Sequence, residues 1–146
     1  MGEKTNIFKN NLALVAVILS LATGSVASVA LSKLTVQSTI KNYISGIAAA
    51  NWGTFLLAVL FAFVTKARRA VFSNFYVTIS AYAALGALHL GLGLGLSKEL
   101  SKGGLIEYEQ VKNSAILSIT VGAVFLGVAV LSVFKPGKKL RLSLNF

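Results

Sequence analysis

Two side chains within the long apolar stretches of this chain could take part in chemistry, and they are Asn51 and His89. A histidine at such a position can act as a proton relay or as a ligand for haem or a metal. Metal and bis-histidine haem sites need several ligands, whereas this chain has one His and no Cys. We therefore predict that His89 is neutral and hydrogen-bonded to a neighbouring helix. Ligands from another subunit remain the alternative.

Asn51, which precedes Trp52, also needs a partner. An unsatisfied amide in hydrocarbon costs several kcal/mol. We predict an interhelical hydrogen bond worth about 1 kcal/mol, with a pore-lining or ligand-lining role as the alternative. Nearby hydroxyl groups are expected to bond back to their own helices. They belong to Ser20, Thr23, Ser25, Thr54, Thr78, Ser80, Ser118 and Thr120.

Other reactive groups are scarce in this sequence. The lack of Cys excludes disulfides, cysteine-ligated metals and a thiol nucleophile. The chain also contains no Asp, which removes most catalytic triads and most magnesium sites. We therefore predict that the protein is not an enzyme and has no catalytic, cofactor-binding or metal-binding residues.

The elements that hold Asn51 and His89 are predicted from composition. The chain is 55% hydrophobic and 12% charged, whereas a soluble domain carries about 25% charged residues. Four apolar runs, at about 12–31, 44–64, 75–96 and 115–134, contain no charged residue. About 20 helical residues cross the ~30 Å hydrocarbon core of a bilayer. We predict an all-α integral membrane four-helix bundle, a multi-pass protein in which residues 1–146 form a single domain.

The distribution of basic residues predicts the orientation of this bundle. Of the 14 Lys and Arg residues, nine lie in the N-terminus, the second connection and the C-terminal tail, which an even number of spans places on one side. Because positive loops favour the cytoplasm, both termini are predicted to face it or its topological equivalent. Residues 65–71 are predicted to form a tight basic turn, and residues 105–112 a helical extension of the fourth span.

The basic residues also predict a partner. The formal net charge is +10, and the positive residues lie between apolar runs, so anionic lipid headgroups are expected rather than specific nucleic acid. The predicted contacts with headgroups or partner subunits are Lys66, Arg68, Arg69, Lys135, Lys138, Lys139 and Arg141. The last four belong to a basic tail, 135–146, whose alternating leucines could instead extend a partner's sheet.

Small residues recur at steps of four in every predicted span. Positions four apart share a helix face, and small side chains let helices approach closely in lipid. The predicted helix-packing residues are Ser20, Gly24, Ser28, Ala50, Ala58, Ala87, Gly91, Gly95, Gly122 and Gly127. These faces either pack within the chain or bind other subunits. The third span is the preferred candidate for subunit binding, because Gly86, Gly91, Gly93 and Gly95 leave one end bare.

Two functions follow from these features. The first is a non-enzymatic structural or assembly subunit, embedded with other protein subunits in a membrane complex or a virion membrane layer. The second is a small pore-forming or holin-like protein, which hydroxyl-lined faces and a basic tail would suit. The choice between a virion membrane and an organelle or cell membrane stays open.

Overall fold

The computed structural model describes residues 2–34, 38–101 and 109–134, with side chains from residue 13 to residue 133 within these ranges. The described residues are helical and contain no strand. The helices are α1 (Gly2–Lys33), α2 (Thr39–Phe63), α3 (Thr65–Phe72), α4 (Phe75–Ser101) and α5 (Glu109–Phe134). All except α3 contain a segment long and apolar enough to cross a membrane. The predicted all-α bundle of four membrane-spanning helices is confirmed.

The four long helices form a ring in which each packs against two neighbours. α4 packs against α5, α5 against α1, α1 against α2, and α2 against α4. Tyr43 near the start of α2 lies against Gly95 near the end of α4, so these helices run antiparallel. α1 and α5 are the first and last of the four spans. The alternation therefore places the beginning of α1 and the end of α5 on the same side.

Local polar groups define where two of the long helices begin. Ser38 caps α2, because its Oγ accepts a 3.1 Å hydrogen bond from the backbone N–H of Lys41. Asn74 caps α4 in the same manner, accepting from the backbone N–H groups of Tyr76 at 2.9 Å and Val77 at 3.3 Å. These side chains satisfy N–H groups that have no partner within the first turn of a helix.

The prediction of a tight basic turn at residues 65–71 is wrong, because the structure has an eight-residue helix, α3, at Thr65–Phe72. Val64 alone, with φ −110° and ψ 98°, takes the extended conformation between α2 and α3. The basic residues that follow are therefore free to continue as a helix. Phe72 is buried, and its ring centroid lies 5.2 Å from that of Phe61, which anchors α3 to the bundle.

The helices extend beyond the predicted apolar runs at several ends. α1 continues to Lys33, α2 already begins at Thr39, and α4 continues to Ser101. The headgroup regions add about 10–15 Å to the hydrocarbon core, so polar residues can continue the helical hydrogen bonding there. Of the predicted extension at 105–112, the structure shows helix from Glu109, and residues 105–108 lie outside the described residues.

A close contact joins the backbones of α4 and α5. A Cβ atom built on Gly122 would lie 2.5 Å from the backbone nitrogen of Leu90. One built on Gly93 would lie 2.8 Å from the backbone nitrogen of Ile119, and one on Gly86 only 2.5 Å from Leu126 Cγ. Only glycine permits an approach this close, which is the usual role of small residues between membrane helices.

We predict that Gly122→Ala destabilises the bundle by about 1–3 kcal/mol, because the new methyl group meets backbone atoms that cannot rotate away. Gly127→Ala is the matched control, since a Cβ there would meet no atom within 4 Å. Alanine is favoured over glycine inside a helix by about 0.8–1.0 kcal/mol, so the control should be neutral or stabilising. Unfolding in mixed micelles measures both. Equal destabilisation by the two substitutions would contradict the glycine contact.

Candidate functional site

The interior of the bundle contains two apolar clusters separated by polar residues. The first cluster consists of Ala13, Ala16, Phe72, Tyr82, Val121, Phe125, Val128 and Ala129. The second consists of Ala27, Ala30, Ile44, Ile47, Ala48, Leu96, Val111 and Ala115. Buried polar residues lie between these two sets on α1, α4 and α5, and next to the second set on α2. They are Ser20 and Thr23 on α1, Asn51 and Thr54 on α2, His89 on α4, and Ser118 on α5, and we call them the polar layer. Three further buried polar residues of the described chain lie within or beyond the clusters and do not belong to it, namely Thr78, Ser114 and Ser132.

His89 connects three of the four long helices within this layer. Its Nε2 lies 2.9 Å from Thr54 Oγ1 on α2, which is the interhelical hydrogen bond predicted for it. Ser118 Oγ on α5 donates to the backbone carbonyl of His89 at 2.8 Å. The imidazole ring also stacks on Phe125, with the ring centroids 5.9 Å apart. His89 is therefore held by polar contacts and by packing.

The hydrogen bonds of Thr54 assign the position of the proton on His89. Thr54 Oγ1 donates its single proton to the backbone carbonyl of Ala50 at 2.7 Å. The same oxygen can therefore only accept from His89, so Nε2 must carry a proton. In a neutral imidazole the other nitrogen, Nδ1, is then an acceptor. Nδ1 is buried and has no hydrogen-bond partner among the described residues.

Asn51 does not make the interhelical hydrogen bond that was predicted from its position. Its Nδ2 instead donates to the backbone carbonyl of Ile47 on its own helix at 2.8 Å. A carbonyl four residues earlier lies within reach of a short side chain, as it does for serine and threonine. Within the described chain, Asn51 Oδ1 and Ser20 Oγ, like His89 Nδ1, are buried without a partner.

The hydroxyl groups make two kinds of hydrogen bond, one within their own helix and one to a neighbouring helix. The sequence predicted only the first kind. Thr23 donates to the carbonyl of Leu19 at 2.6 Å, and Thr120 to that of Ile116 at 2.8 Å, each within its own helix. Ser118 instead bonds across to α4. The four-residue spacing from Ser118 to Gly122 could have indicated this bond between helices. The close approach of α4 at Gly122 brings the backbone carbonyl of His89 within reach of Ser118.

Several predicted packing residues contact neighbouring helices or the layer. A Cβ on Gly24 would lie 3.1 Å from the ring of Trp52, whose Nε1 donates to Ser28 Oγ at 3.0 Å. A Cβ on Gly95 would overlap the ring of Tyr43. The other predicted packing residues that face inward are Ser20, which is buried, Ala50, which accepts from Thr54, Ala58, which lines a cavity, and Gly122.

The remaining predicted packing residues lie on the outside of the bundle. Ala87 and Gly91 are exposed on one face of α4. A Cβ on Gly91 or on Gly127 of α5 would meet no atom within 4 Å. Ala87 and Gly91 therefore leave little side-chain volume on the outer surface of α4, and half-buried Gly127 leaves open space beside α5.

A cavity of about 60 Å³ lies in the half of the bundle that contains the first apolar cluster. Its walls are almost entirely apolar and include Ala13, Ala58 and Phe125. Thr54 also lines it, so the cavity reaches the polar layer at that residue.

The predicted headgroup contacts are described only in part. Lys66 and Arg69 are exposed on α3, and Arg68 is half-buried there. The other four, Lys135, Lys138, Lys139 and Arg141, lie outside the described residues.

No family model, curated protein or solved structure matches this chain. Within the described residues, there is also no group of three or more His, Cys, Asp or Glu side chains that could hold a metal ion. The polar layer is a set of hydrogen-bonding groups.

We predict that Thr54→Val and Ser118→Ala each destabilise the bundle by about 1 kcal/mol, since each removes a hydrogen bond between helices. Thr120→Val is the matched control, because its exposed hydroxyl bonds only within α5. Free energies of unfolding in mixed micelles give the comparison. If Thr120→Val costs as much as Thr54→Val, the bond between Thr54 and His89 does not stabilise the bundle.

Proposed function

We propose that this protein is a non-enzymatic structural subunit of a larger membrane assembly, either a membrane complex or a virion membrane layer. The observation that carries the proposal is the small-residue surface on the outside of α4 and α5. Ala87, Gly91 and Gly127 form this surface. We infer that it receives helices of neighbouring subunits.

The contacts between α4 and α5 support this inference. Gly86, Gly93 and Gly122 let these two helices pack backbone to backbone. Gly91 and Gly127 belong to the same helices, but a Cβ built on either of them would meet no atom of the described residues within 4 Å. Glycine in a helix is about 0.8–1.0 kcal/mol less favourable than alanine. A lipid-facing position gains nothing from this cost, whereas a position that packs against another helix does.

Large exposed residues occur on every long helix, and on α4 and α5 they include Leu88, Leu94 and Ile116. Such side chains suit contact with acyl chains, so we expect lipid to cover much of the outer surface. Exposed Lys66 and Arg69 follow on α3, where anionic headgroups would attract them with about 1 kcal/mol each. We therefore confine the proposed subunit contact to the small-residue positions of α4 and α5.

A pore is the alternative function, and the packing of the described residues supports it less. The polar layer is buried between the two apolar clusters, and of its residues only Thr54 lines the cavity of about 60 Å³. Aromatic side chains such as Tyr82 and Phe125 fill the first cluster. A conducting path would therefore have to form between copies of the chain.

The first test of this proposal compares three glycines that have open space around a built Cβ. Gly91→Leu and Gly127→Leu fill the small-residue surface without a clash inside the chain, and Gly53→Leu on α2 is the matched control. We expect the first two variants to remain folded but to lose the polypeptides that accompany the wild type in mild detergent. Gly53→Leu should retain them.

Two results would overturn the proposal. One is a wild-type protein that leaves its native membrane alone, as a monomer or only with copies of itself. The other is equal retention of partners by Gly91→Leu and Gly53→Leu.

We also propose that the end of the bundle carrying α3 faces the cytoplasm or its equivalent. Because the chain has no Cys, single cysteines report on this directly. Ser73 and Ser101 are exposed at opposite ends of α4. A membrane-impermeant maleimide should label Ser73→Cys only from the cytoplasmic side and Ser101→Cys only from the other. Labelling of both from one side would contradict the topology, and reversed labelling would contradict the orientation.

A further inference from the structure

We propose that the polar layer is a binding site for internal water, which hydrogen-bonds to Ser20 Oγ, Asn51 Oδ1 and His89 Nδ1. These three residues are fully buried, with 0% of each side chain exposed. Their three atoms have no hydrogen-bond partner among the described residues. Leaving a buried polar atom unpaired costs about 1–3 kcal/mol, so three such atoms in one layer indicate a ligand that satisfies them.

The chemistry of the three atoms matches that of water. Asn51 Oδ1 is an acceptor, and His89 Nδ1 is also an acceptor, because the bond to Thr54 places the ring proton on Nε2. Ser20 Oγ both donates and accepts. Water offers two donors and two acceptors, so it can serve atoms of both kinds.

The three atoms also belong to one depth of the bundle. Asn51 lies one turn from Thr54 on α2, and Thr54 contacts His89 on α4. Ser20 lies one turn from Gly24 on α1, and Gly24 packs against Trp52, the neighbour of Asn51. One helical turn is about 5.4 Å, a step that one or two water molecules can bridge.

The structure offers space for water next to the direct neighbours of His89. The cavity of about 60 Å³ is lined by Thr54, which contacts His89, and by Phe125, which stacks on it, whereas Ser20, Asn51 and His89 are not among its lining residues. A water molecule needs about 10–15 Å³ measured in this way. The cavity walls are otherwise apolar, so the water belongs at the end where Thr54 lies.

A cation is the other small ligand that oxygen and nitrogen acceptors could take. The four apolar runs contain no Asp or Glu to balance its charge. An uncompensated charge in a medium of low dielectric constant costs tens of kcal/mol by Born solvation, whereas a water molecule carries no such penalty. The layer therefore favours a neutral ligand.

The single histidine makes the proposal testable, because its ring gives one unambiguous set of nitrogen signals. The full chain, uniformly labelled with ¹⁵N, is placed in lipid bilayers for solid-state NMR with magnetisation transfer from water protons. We expect a protonated Nε2, an unprotonated Nδ1, and rapid transfer from water to the ring. Backbone amides of Ile47 and Val121, in the two apolar clusters, supply the dry reference.

Two variants then connect the signal to the layer. Ser20→Ala and Asn51→Leu should each remove most of the water transfer to His89. Ser25→Ala is the matched control, because its exposed hydroxyl bonds to the carbonyl of Leu21 on its own helix. If a variant does not fold, the wild-type measurement still decides the question.

Two results would overturn the proposal. The first is water transfer to the ring that is no faster than transfer to Ile47 and Val121. The second is a ring signal that changes when sodium and potassium are replaced by a bulky organic cation, because the ligand would then be a metal ion.

Discussion

The rest of the bundle depends on the distance between the backbones of α4 and α5. Between helices in lipid there is no hydrophobic force, so van der Waals contact and hydrogen bonds must hold them together. The glycine contacts supply the van der Waals contact, and they also make the hydrogen bonds between helices possible. Ser118 reaches the carbonyl of His89 only because Gly122 lets the two backbones meet. His89, fixed in this way, presents its ring to Thr54 and so connects the pair to α2.

The polar layer gives this bundle a defined register. Each long helix contributes at least one residue to the polar layer, which separates the two apolar clusters. A slide of one helix by a turn would move Asn51 or His89 into an apolar cluster and break the hydrogen bonds of the layer. Because lipid and apolar side chains are nearly equivalent solvents, apolar packing alone discriminates poorly between such registers. Buried polar groups supply the discrimination, a role that is well attested for a polar residue in a coiled-coil core.

The sequence was sufficient for the helices but not for their packing. Apolar runs without charges predicted all four spans, since a lipid-exposed backbone must satisfy its hydrogen bonds internally. They did not predict the ends, because helices continue where the polarity rises. α3 was missed, since nothing in residues 65–71 shows that Val64 alone would take the extended conformation. Even consecutive small residues four apart differ, because a Cβ on Gly95 would overlap Tyr43 whereas one on Gly91 would meet no described atom within 4 Å.

The polar contacts were harder still to predict. Whether an amide or a hydroxyl bonds within its own helix or across to the next depends on the distance between helices, which a single sequence does not contain. Asn51 stays within α2, whereas Ser118 crosses to α4.

A row of aromatic rings in contact leads from α3 to His89 in the polar layer. Phe61 contacts Phe72, Phe72 contacts Tyr82, Tyr82 stacks on Phe125, and Phe125 stacks on His89, with successive centroids 5.2 to 6.2 Å apart. All of these rings except that of His89 also line the cavity of about 60 Å³. Protein interiors are otherwise close-packed, so this void is where a ring can shift when lipid headgroups tilt α3. A row of contacts that joins the bilayer surface to the middle of the bundle thus contains the space that can absorb such a movement.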